Sequence, residues 1–359
     1  MRTRVTLLVA SVILSHSAAT PARAQERGLL GPPAVEAVAS IANSSDEPFD
    51  PYLFFDLAAT VPIGDRFGAV VRPYAHRLEG GEWSAEMYQL QLFYQSTTRI
   101  PIRVDAGIIT SPLGLGTLEL RADQSATIKT PFYYYMPLPR FDRENHDVQL
   151  ISGGYPLGAV VSTSGTKWDL RAGVTDSTPA RSRNVFESDR PAAMRQFIVG
   201  GGVTPIVGLR VGAGFAHGDY RSVDANSPDA AAAASATAVT VLNLEAEYSF
   251  AHTKFSGEWI RDRFESPMGP SVARGYLVQA VQTFTPRLFG TVQLVGASAP
   301  AFTGQGRVRR TMTSTEVSAG YRLHEQLTVR GGYYASRHFF APERSHTAVA
   351  SLIWSHRWF

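Results

Sequence analysis

AVTVLNLEAEYSF, residues 238–250, alternates between apolar and polar side chains. From position 242 onward the apolar set is Leu242, Leu244, Ala246, Tyr248 and Phe250, and the polar set is Asn243, Glu245, Glu247 and Ser249. Because successive side chains of a β-strand point to opposite faces, this period of two predicts a strand with one apolar and one polar face. The stretch is longer than the typical strand of about 5–6 residues in a soluble domain. It is long enough for a tilted strand to cross a bilayer, which takes roughly 9–11 residues.

The same alternation recurs along the chain, and the alternating segments are joined in turn by short and long connections. The short connections hold Gly, Pro or small polar residues, and they are 62–65, 97–101, 164–166, 204–208, 250–253, 285–287 and 323–325. The long ones are 78–84, 110–145, 177–192, 218–237, 264–272, 299–308 and 337–344. Short turns at one end and long loops at the other predict an all-β fold, a transmembrane antiparallel up-and-down β-barrel. A soluble sandwich or propeller is the alternative, but its strands are shorter.

The strand number follows from these connections. Each short turn joins two strands, which makes fourteen, and the segment from Ser345 adds a fifteenth. Bacterial outer-membrane barrels have even strand numbers, so the Ala-rich segment Ala34–Asn43 is assigned as the first strand and the prediction is 16. If that segment is a periplasmic extension, the number is 14, and a hidden pair of strands within 110–145 makes it 18.

The N-terminus has the pattern of a secretory signal peptide: a basic start, the apolar stretch Val5–Leu14 and the small-x-small motif at 22–24. The apolar stretch is too short to span a membrane as a helix, which takes about 20 residues. We therefore expect residues 1–24 to be cleaved and 25–359 to be exported as the mature barrel.

Removal of that segment changes the charge balance. The chain carries 34 Lys+Arg and 31 Asp+Glu, and residues 1–24 hold three arginines and no acid, so the mature chain has 31 of each. A neutral chain argues against nucleic acid as a partner. The chain has no cysteine, so a closed network of backbone hydrogen bonds, and not disulfides, is expected to stabilise it.

Aromatic residues collect near the ends of the predicted strands, where they would form girdles at the two membrane–water boundaries; they include Trp168, Trp259, Phe289, Trp354 and Trp358. With the export signal, the long hairpins and the terminal Phe359, the architecture of 34–359 resembles the outer-membrane porins of Gram-negative bacteria. The resemblance implies a place in the cell outer membrane in contact with its lipid, recognition of Phe359 by the barrel-assembly machinery, and a possible homotrimer. It also implies passive diffusion of small hydrophilic solutes through a water-filled barrel.

Successive positions along a strand face opposite sides of the sheet, so each strand has an odd-numbered and an even-numbered face, and we call this its parity. If the apolar face points outward, parity assigns the charged side chains of the other face to the inner wall. The basic residues assigned to the wall are Arg72, Arg103, Lys167, Arg171, Arg210, Lys254, Arg322 and Arg330. The acidic ones are Asp56, Asp105, Asp169, Glu245, Glu247, Glu258, Asp262 and Glu316. Because rings of like charge set the field in a pore, eight charges of each sign predict a mixed wall with mild selectivity. Parity leaves Arg195, Arg261 and Arg274 unassigned.

The longest connection, 110–145, follows the fifth predicted strand. The resemblance implies that this third external loop folds into the barrel and narrows it, and the alternative is a loop packed on the outer rim. The candidate residues for channel lining and constriction come from the loop and from the wall. They are Arg72, Arg103, Asp105, Arg121, Asp123, Lys129, Tyr133, Tyr134, Tyr135, Arg171, Arg210, Glu245, Glu247, Glu258 and Arg330.

The sequence predicts no cofactor, no metal site and no catalytic residue. The histidines lack metal-ligand spacing, and a Gly-x-Ser-x-Gly nucleophile motif is absent. Passive diffusion of small hydrophilic solutes is therefore the predicted function. Two alternatives stay open: a channel selective for anions such as phosphate or for sugars, and a barrel that acts as an enzyme or adhesin.

Overall fold

Sixteen antiparallel strands follow one another around a closed barrel, as the period of two predicts. The computed structural model describes residues 32–45, 51–77, 81–96, 100–115, 121–131, 138–141, 150, 155–176, 195–220, 238–303, 306–341 and 343–358. In chain order the strands are β1 (Ala34–Ser44), β2 (Tyr52–Ile63), β3 (Phe67–Arg77), β4 (Trp83–Gln95), β5 (Ile102–Ile108), β6 (Leu157–Ser164), β7 (Trp168–Thr175), β8 (Gln196–Ile206), β9 (Leu209–Asp219), β10 (Ala238–Phe250), β11 (Thr253–Phe264), β12 (Ser271–Thr283), β13 (Leu288–Thr303), β14 (Gly306–His324), β15 (Leu327–Arg337) and β16 (Ser345–Trp358). Among these described residues, no helix is long and apolar enough to cross a membrane.

The barrel closes between its first and last strands. β1 pairs with β16 from Val35 opposite Trp358 to Ser44 opposite Val349. Closure leaves no open sheet edge, so the backbone groups of the strands bond to one another. The pairing confirms the Ala-rich first strand and the strand number of 16.

The barrel buries polar side chains and exposes apolar ones. On β10, Leu244 is 54% exposed whereas its neighbour Glu245 is 2% exposed. From position 242 to 245 the exposed side chains are the apolar ones and the buried side chains are the polar ones, whereas Val239 and Val241 at the start of the strand face inward and are buried. An outward apolar face and an inward polar face are the arrangement that a barrel in lipid requires.

Two predicted boundaries are wrong. The segment predicted as a loop over 299–308 lies mostly in β13 and β14, which pair as far as Thr303 opposite Gly306. The small residues and the proline at its start suggested a loop, but Pro300 lies on the outward face, where alternation continues. The connection predicted to end at 145 extends to β6, which begins at Leu157. Pro156 directly precedes that strand, and proline cannot donate a hydrogen bond to a ladder.

A β-bulge changes parity between β3 and β4. Arg72 lies opposite Gln89 and Pro73 lies opposite Met87, so Tyr88 is the extra residue of β4. The bulge coincides with Pro73, which has no N–H to donate to the ladder. Its consequence is that Tyr88 joins the inward-facing aromatic residues of β3, which strict alternation along β4 does not predict.

The long segment between β5 and β6, residues 109–156, lies against the inner wall of the barrel wherever it is described. Leu113, Phe141 and Leu150 are at most 1% exposed and belong to one apolar cluster with the wall. The wall residues of this cluster are Ile198, Ala216, Val239, Val241, Ile260, Phe264, Ala273, Leu277, Val295, Ala297, Ala299 and Met312. The segment is thus anchored by apolar contacts to β8–β14.

Candidate functional site in the barrel interior

The internal segment 109–156 is also hydrogen-bonded to charged side chains of the wall. Glu316 of β14 accepts hydrogen bonds from the backbone N–H of Ile128 at 2.7 Å and of Lys129 at 3.0 Å. On β11, Glu258 accepts one from the backbone N–H of Leu115 at 3.3 Å. Carboxylates that accept backbone N–H groups form charge-assisted bonds, which are stronger than neutral ones. These wall residues therefore fix the path of the segment across the interior.

Two arginines complete the attachment. Arg330 of β15 donates through Nη1 to the carbonyl oxygens of Ser125 at 2.8 Å and Thr127 at 2.7 Å. Arg121, in the segment itself, forms ion pairs with Glu36 of β1 and with Asp123, both at 2.6 Å. Burial alone would lower the pKa of Arg121, but hydrogen bonds from its guanidinium to Asp123 and Glu36 outweigh this effect and raise the pKa. Arg121 therefore keeps its positive charge at any pH near neutrality.

Lys129 reaches the wall beside the barrel seam. Its Nζ lies 3.2 Å from Oγ of Ser44 on β1 and 4.6 Å from the ring centroid of Tyr52 on β2. An ammonium group over an aromatic face is attracted by the ring quadrupole. The stretch 121–131 thus contacts β1, β2, β14 and β15, on both sides of the barrel seam.

A second cluster surrounds Arg72 on β3. Its guanidinium hydrogen-bonds the carboxylate of Asp56 at 2.5–2.9 Å and donates through Nη1 to the hydroxyl of Tyr155 at 2.7 Å. Stacked rings cover it: the centroids of Tyr74 and Tyr88 are 4.3 Å apart, and those of Tyr88 and Tyr155 are 4.8 Å apart. Burial raises the pKa of Tyr155, which lies outside the strands. That hydroxyl therefore stays neutral and available to accept from Arg72.

A cavity of about 270 Å³ lies between the two clusters. Glu36, Arg72, Gln89, Arg121 and Tyr155 line it, with β1–β4 on one side and the internal segment on the other. Both arginines on its lining are already paired with carboxylates. The cavity is therefore polar without an unpaired positive charge, and it is smaller than a typical drug-sized ligand pocket of roughly 300–1,000 Å³.

A third charged cluster lies on β7, β9 and β10. Arg210 bridges two carboxylates, with Nη1 at 2.6 Å from Glu245 and Nε at 2.8 Å from Asp169. Glu245 also pairs with Arg171 at 3.0 Å. Gly202 leaves room for the bridge, because a Cβ there would lie 2.7 Å from Nη2 of Arg210. Two positive and two negative groups thus cancel within one patch of wall.

Further pairs of opposite charge lie elsewhere on the wall. Arg103 and Asp105 of β5 form an ion pair at 2.8 Å, and Lys254 pairs with Glu247 at 2.5 Å between β11 and β10. The described wall consequently presents many of its charges in ion pairs and clusters, which leave little net field inside the barrel.

The candidate residues of the sequence fall into three groups. Those on inward-facing strand positions are Arg72, Arg103, Asp105, Arg171, Arg210, Glu245, Glu247, Glu258 and Arg330. Arg121, Asp123 and Lys129 lie in the internal segment, and Tyr133, Tyr134, Tyr135 and Phe359 lie outside the described residues. Sequence reasoning missed Glu36, Tyr74, Tyr88 and Tyr155. The parity of the Ala-rich first strand could have found Glu36, whereas the bulge at Tyr88 has only an indirect sequence signal, Pro73 on the neighbouring strand.

Arg261 and Arg274, which parity left unassigned, lie on the outward face of β11 and β12. They are directly opposite each other in the ladder, and they alternate with inward-facing Ile260 and Ala273. Over the described ranges, no group of three or more His, Asp or Glu side chains could hold a metal ion.

A closed barrel of 16 antiparallel strands, with an apolar outer face and a long segment folded into a polar interior, is the architecture of outer-membrane porins. The anion-selective porin from Comamonas acidovorans is similar to this chain, with a TM-score of 0.58 and 12% identity over 90% of this chain and 98% of that one. OmpT, an outer membrane protein of Vibrio cholerae in its trimer form, gives a TM-score of 0.56 and 10% identity over 91% and 98%. OmpF of Salmonella typhi, in complex with daunomycin, gives 0.55 and 10% over 90% and 97%.

These similarities lie in the fold and not in the sequence. No family model matches the chain, and no curated protein matches it. The chain therefore has the porin-like fold of outer-membrane barrels, and its function has to be argued from its own residues.

Proposed function

We propose that this protein is an outer-membrane porin through which small hydrophilic solutes diffuse passively. The observation that carries the proposal is the interior wall, where charges are held in neutral clusters such as Arg210 with Asp169 and Glu245. A barrel of this strand number encloses an aqueous channel, and diffusion through it needs neither a cofactor nor a catalytic residue. Paired wall charges keep the channel polar without a strong field of either sign.

The internal segment supplies the constriction of this proposed channel. Its stretch 121–131 is held across the interior by Glu36, Glu316 and Arg330. The polar cavity beside Arg72 and Arg121 supports a path for small solutes between that stretch and β1–β4. The pairing of both arginines favours a general channel over one selective for anions such as phosphate.

Export, membrane location and assembly complete the proposal. Residues 1–24 act as a cleaved signal peptide. The barrel-assembly machinery recognises Phe359. The barrel lies among the lipids of the outer membrane of a Gram-negative bacterium. A homotrimer is supported by the trimer form of the similar OmpT of Vibrio cholerae.

Single-channel recording tests the proposal. Residues 25–359 are refolded and inserted into a planar bilayer, and the reversal potential is measured across a salt gradient. We expect stable open steps, closure in groups of three for a trimer, and a reversal potential near zero because the wall charges cancel. A large offset would replace the general porin by a selective channel. An absence of steps from protein that is shown to be folded would overturn the porin and favour an enzyme or adhesin.

A further inference from the structure

Two arginines face each other on the outer surface of the barrel. Arg261 of β11 and Arg274 of β12 are direct partners in the ladder and lie on the face of the sheet turned away from the interior. Directly opposite side chains have Cβ atoms about 4.5–5.5 Å apart, and like charges in this position are destabilising. Within the described part of the chain, neither arginine has an acidic ion-pair partner.

The neighbours of this pair define its depth in the membrane. The next outward pair along the same two strands is Trp259 with Tyr276, and the pair beyond it is Gly257 with Val278. The ring of Tyr276 lies over Gly296 of β13, where a Cβ would collide with it. Amphipathic rings prefer the boundary between hydrocarbon and headgroups. The arginine pair, one step further toward the long connection 265–270, therefore lies at the depth of the lipid headgroups.

A third arginine extends the basic surface toward β14. Arg309 donates through Nη1 to Oγ of Ser298 at 2.6 Å, and Ser298 is the ladder partner of Arg274 on β13. Arg263 also faces outward, two residues beyond Arg261, but Glu265 neutralises it at 3.0 Å. Arg261, Arg274 and Arg309 thus form an outward basic patch in which, among the described residues, none of the three has an acidic ion-pair partner, and the nearby Glu265 is already paired with Arg263.

We propose that this patch binds the phosphate groups of an anionic lipid in the external leaflet. Guanidinium groups match phosphate geometry with two parallel hydrogen bonds, and a phosphorylated headgroup supplies the negative charge that the arginine pair lacks. The aromatic pair immediately below is placed to contact the acyl chains of the same lipid. The inference rests on the barrel lying in a membrane and is independent of whether it conducts.

Lipid binding by the purified full-length barrel in neutral detergent tests this proposal. The probe is cardiolipin, which carries two phosphates, with phosphatidylcholine as the neutral lipid, and native mass spectrometry counts the bound molecules. We expect preferential retention of cardiolipin, and binding about 10- to 30-fold weaker in the double variant Arg261→Gln/Arg274→Gln, because each arginine near an anionic headgroup contributes to attraction. The matched control is Arg77→Gln, at the external end of β3 on the opposite side of the barrel, and it should bind cardiolipin as the unmodified protein does.

Thermal denaturation separates a ligand site from a structural role. Cardiolipin should raise the Tm of the unmodified protein more than that of the double variant, and in lipid-free detergent the double variant should be at least as stable, because the like-charge contact is relieved. Equal retention of both lipids, or full retention of cardiolipin by the double variant, would overturn the proposal. An equal rise of Tm with inorganic phosphate alone would assign the patch to free phosphate. Dimers that disappear in the double variant would assign it to a protein contact.

Discussion

At the scale of single residues, the interior is organised by charges that share partners. Arg210 contacts Asp169 and Glu245 together, and Glu245 contacts Arg171 as well. A buried charge that loses its partner is costly, so each member of the cluster depends on the others. Removing one arginine therefore changes the field of the wall and not only a local contact.

Arg210→Gln should make the channel prefer cations. The substitution leaves two carboxylates with one arginine, and a unit charge about 8 Å from a passing ion acts on it with roughly 0.5 kcal/mol in water. The same charge repels cations and attracts anions, so we expect the ratio of cation to anion permeability to rise by roughly fivefold at low salt and by less at high salt, measured from the reversal potential across a salt gradient. Arg337→Gln, an exposed position on the outward face of β15, removes the same charge outside the channel and serves as the control. Equal shifts in both variants would show that Arg210 does not face the path of the ions.

Parity explains why most of the wall charges could be predicted from the sequence. Leu244 and Glu245 differ by a single position and end on opposite faces, because the period of two is uninterrupted along β10. The same reasoning failed for Tyr88, since a bulge moves it out of register. Arg261 and Arg274 were not assigned, because near the ends of strands the outward face also meets water and headgroups, where charge is tolerated.

At the scale of single strands, the outward face of β13 carries exposed apolar side chains at its middle, and the inward face carries buried polar ones. Val292 is 44% exposed on the outward face, and its neighbour Gln293 is 4% exposed opposite Glu316. Val292 lies four residues from Leu288, the ladder partner of the outward Tyr321, and four residues from Gly296, the ladder partner of Tyr276, so it is about midway between these two aromatic residues. Neighbouring positions of one strand thus provide a matched pair for a test.

Val292→Lys should destabilise the barrel more than Gln293→Lys. A lysine facing lipid near the bilayer midplane costs about 2–4 kcal/mol, whereas a lysine at the buried position 293 lies opposite Glu316, whose carboxylate offsets part of the cost of burying the ammonium group. Urea unfolding from phospholipid vesicles measures both values. Similar losses in the two variants would contradict the assignment of faces.

The internal segment offers a test at the same scale. Replacement of 121–131 by two glycines should raise single-channel conductance by at least about twofold, because a barrel of this strand number encloses an aqueous channel once the segment no longer fills it. Replacement of 222–232, between β9 and β10, in the same way removes as many residues elsewhere and should leave conductance unchanged. Unaltered conductance in the first variant would mean that 121–131 does not narrow the passage.

Element boundaries were predictable only where turn residues and alternation agreed. The loop predicted over 299–308 forms part of two strands, because Ala, Ser and Pro on the outward face near the external boundary imitate a loop composition. Conversely, the end of the internal segment was placed too early, since residues after 145 contain alternating apolar positions such as Leu150. In the structure Leu150 is buried inside the barrel and is not part of a strand.

At the scale of the whole molecule, the fold could be predicted and the path of the internal segment could not. Strand pairing joins neighbours in sequence, so counting turns, adding the C-terminal segment and requiring an even strand number was enough to reach 16. The segment is instead positioned by distant residues: the contact between Arg330 and Ser125 joins positions 205 apart in the chain. The residues of 121–131 do not by themselves indicate which distant wall residues they contact. A single sequence therefore predicts that the segment is present but not where it lies inside the barrel.

The position of 121–131 inside the barrel also links this stretch to closure of the barrel. The stretch 121–131 bonds to Glu36 on β1 and to Glu316 and Arg330 on β14 and β15, which lie on either side of the seam where β1 meets β16. These partners come together only when the cylinder is shut, and long-range contacts form late because loop closure must precede them. The full set of these bonds therefore requires a closed cylinder, and the stretch 121–131 ties the two sides of the seam together from the inside.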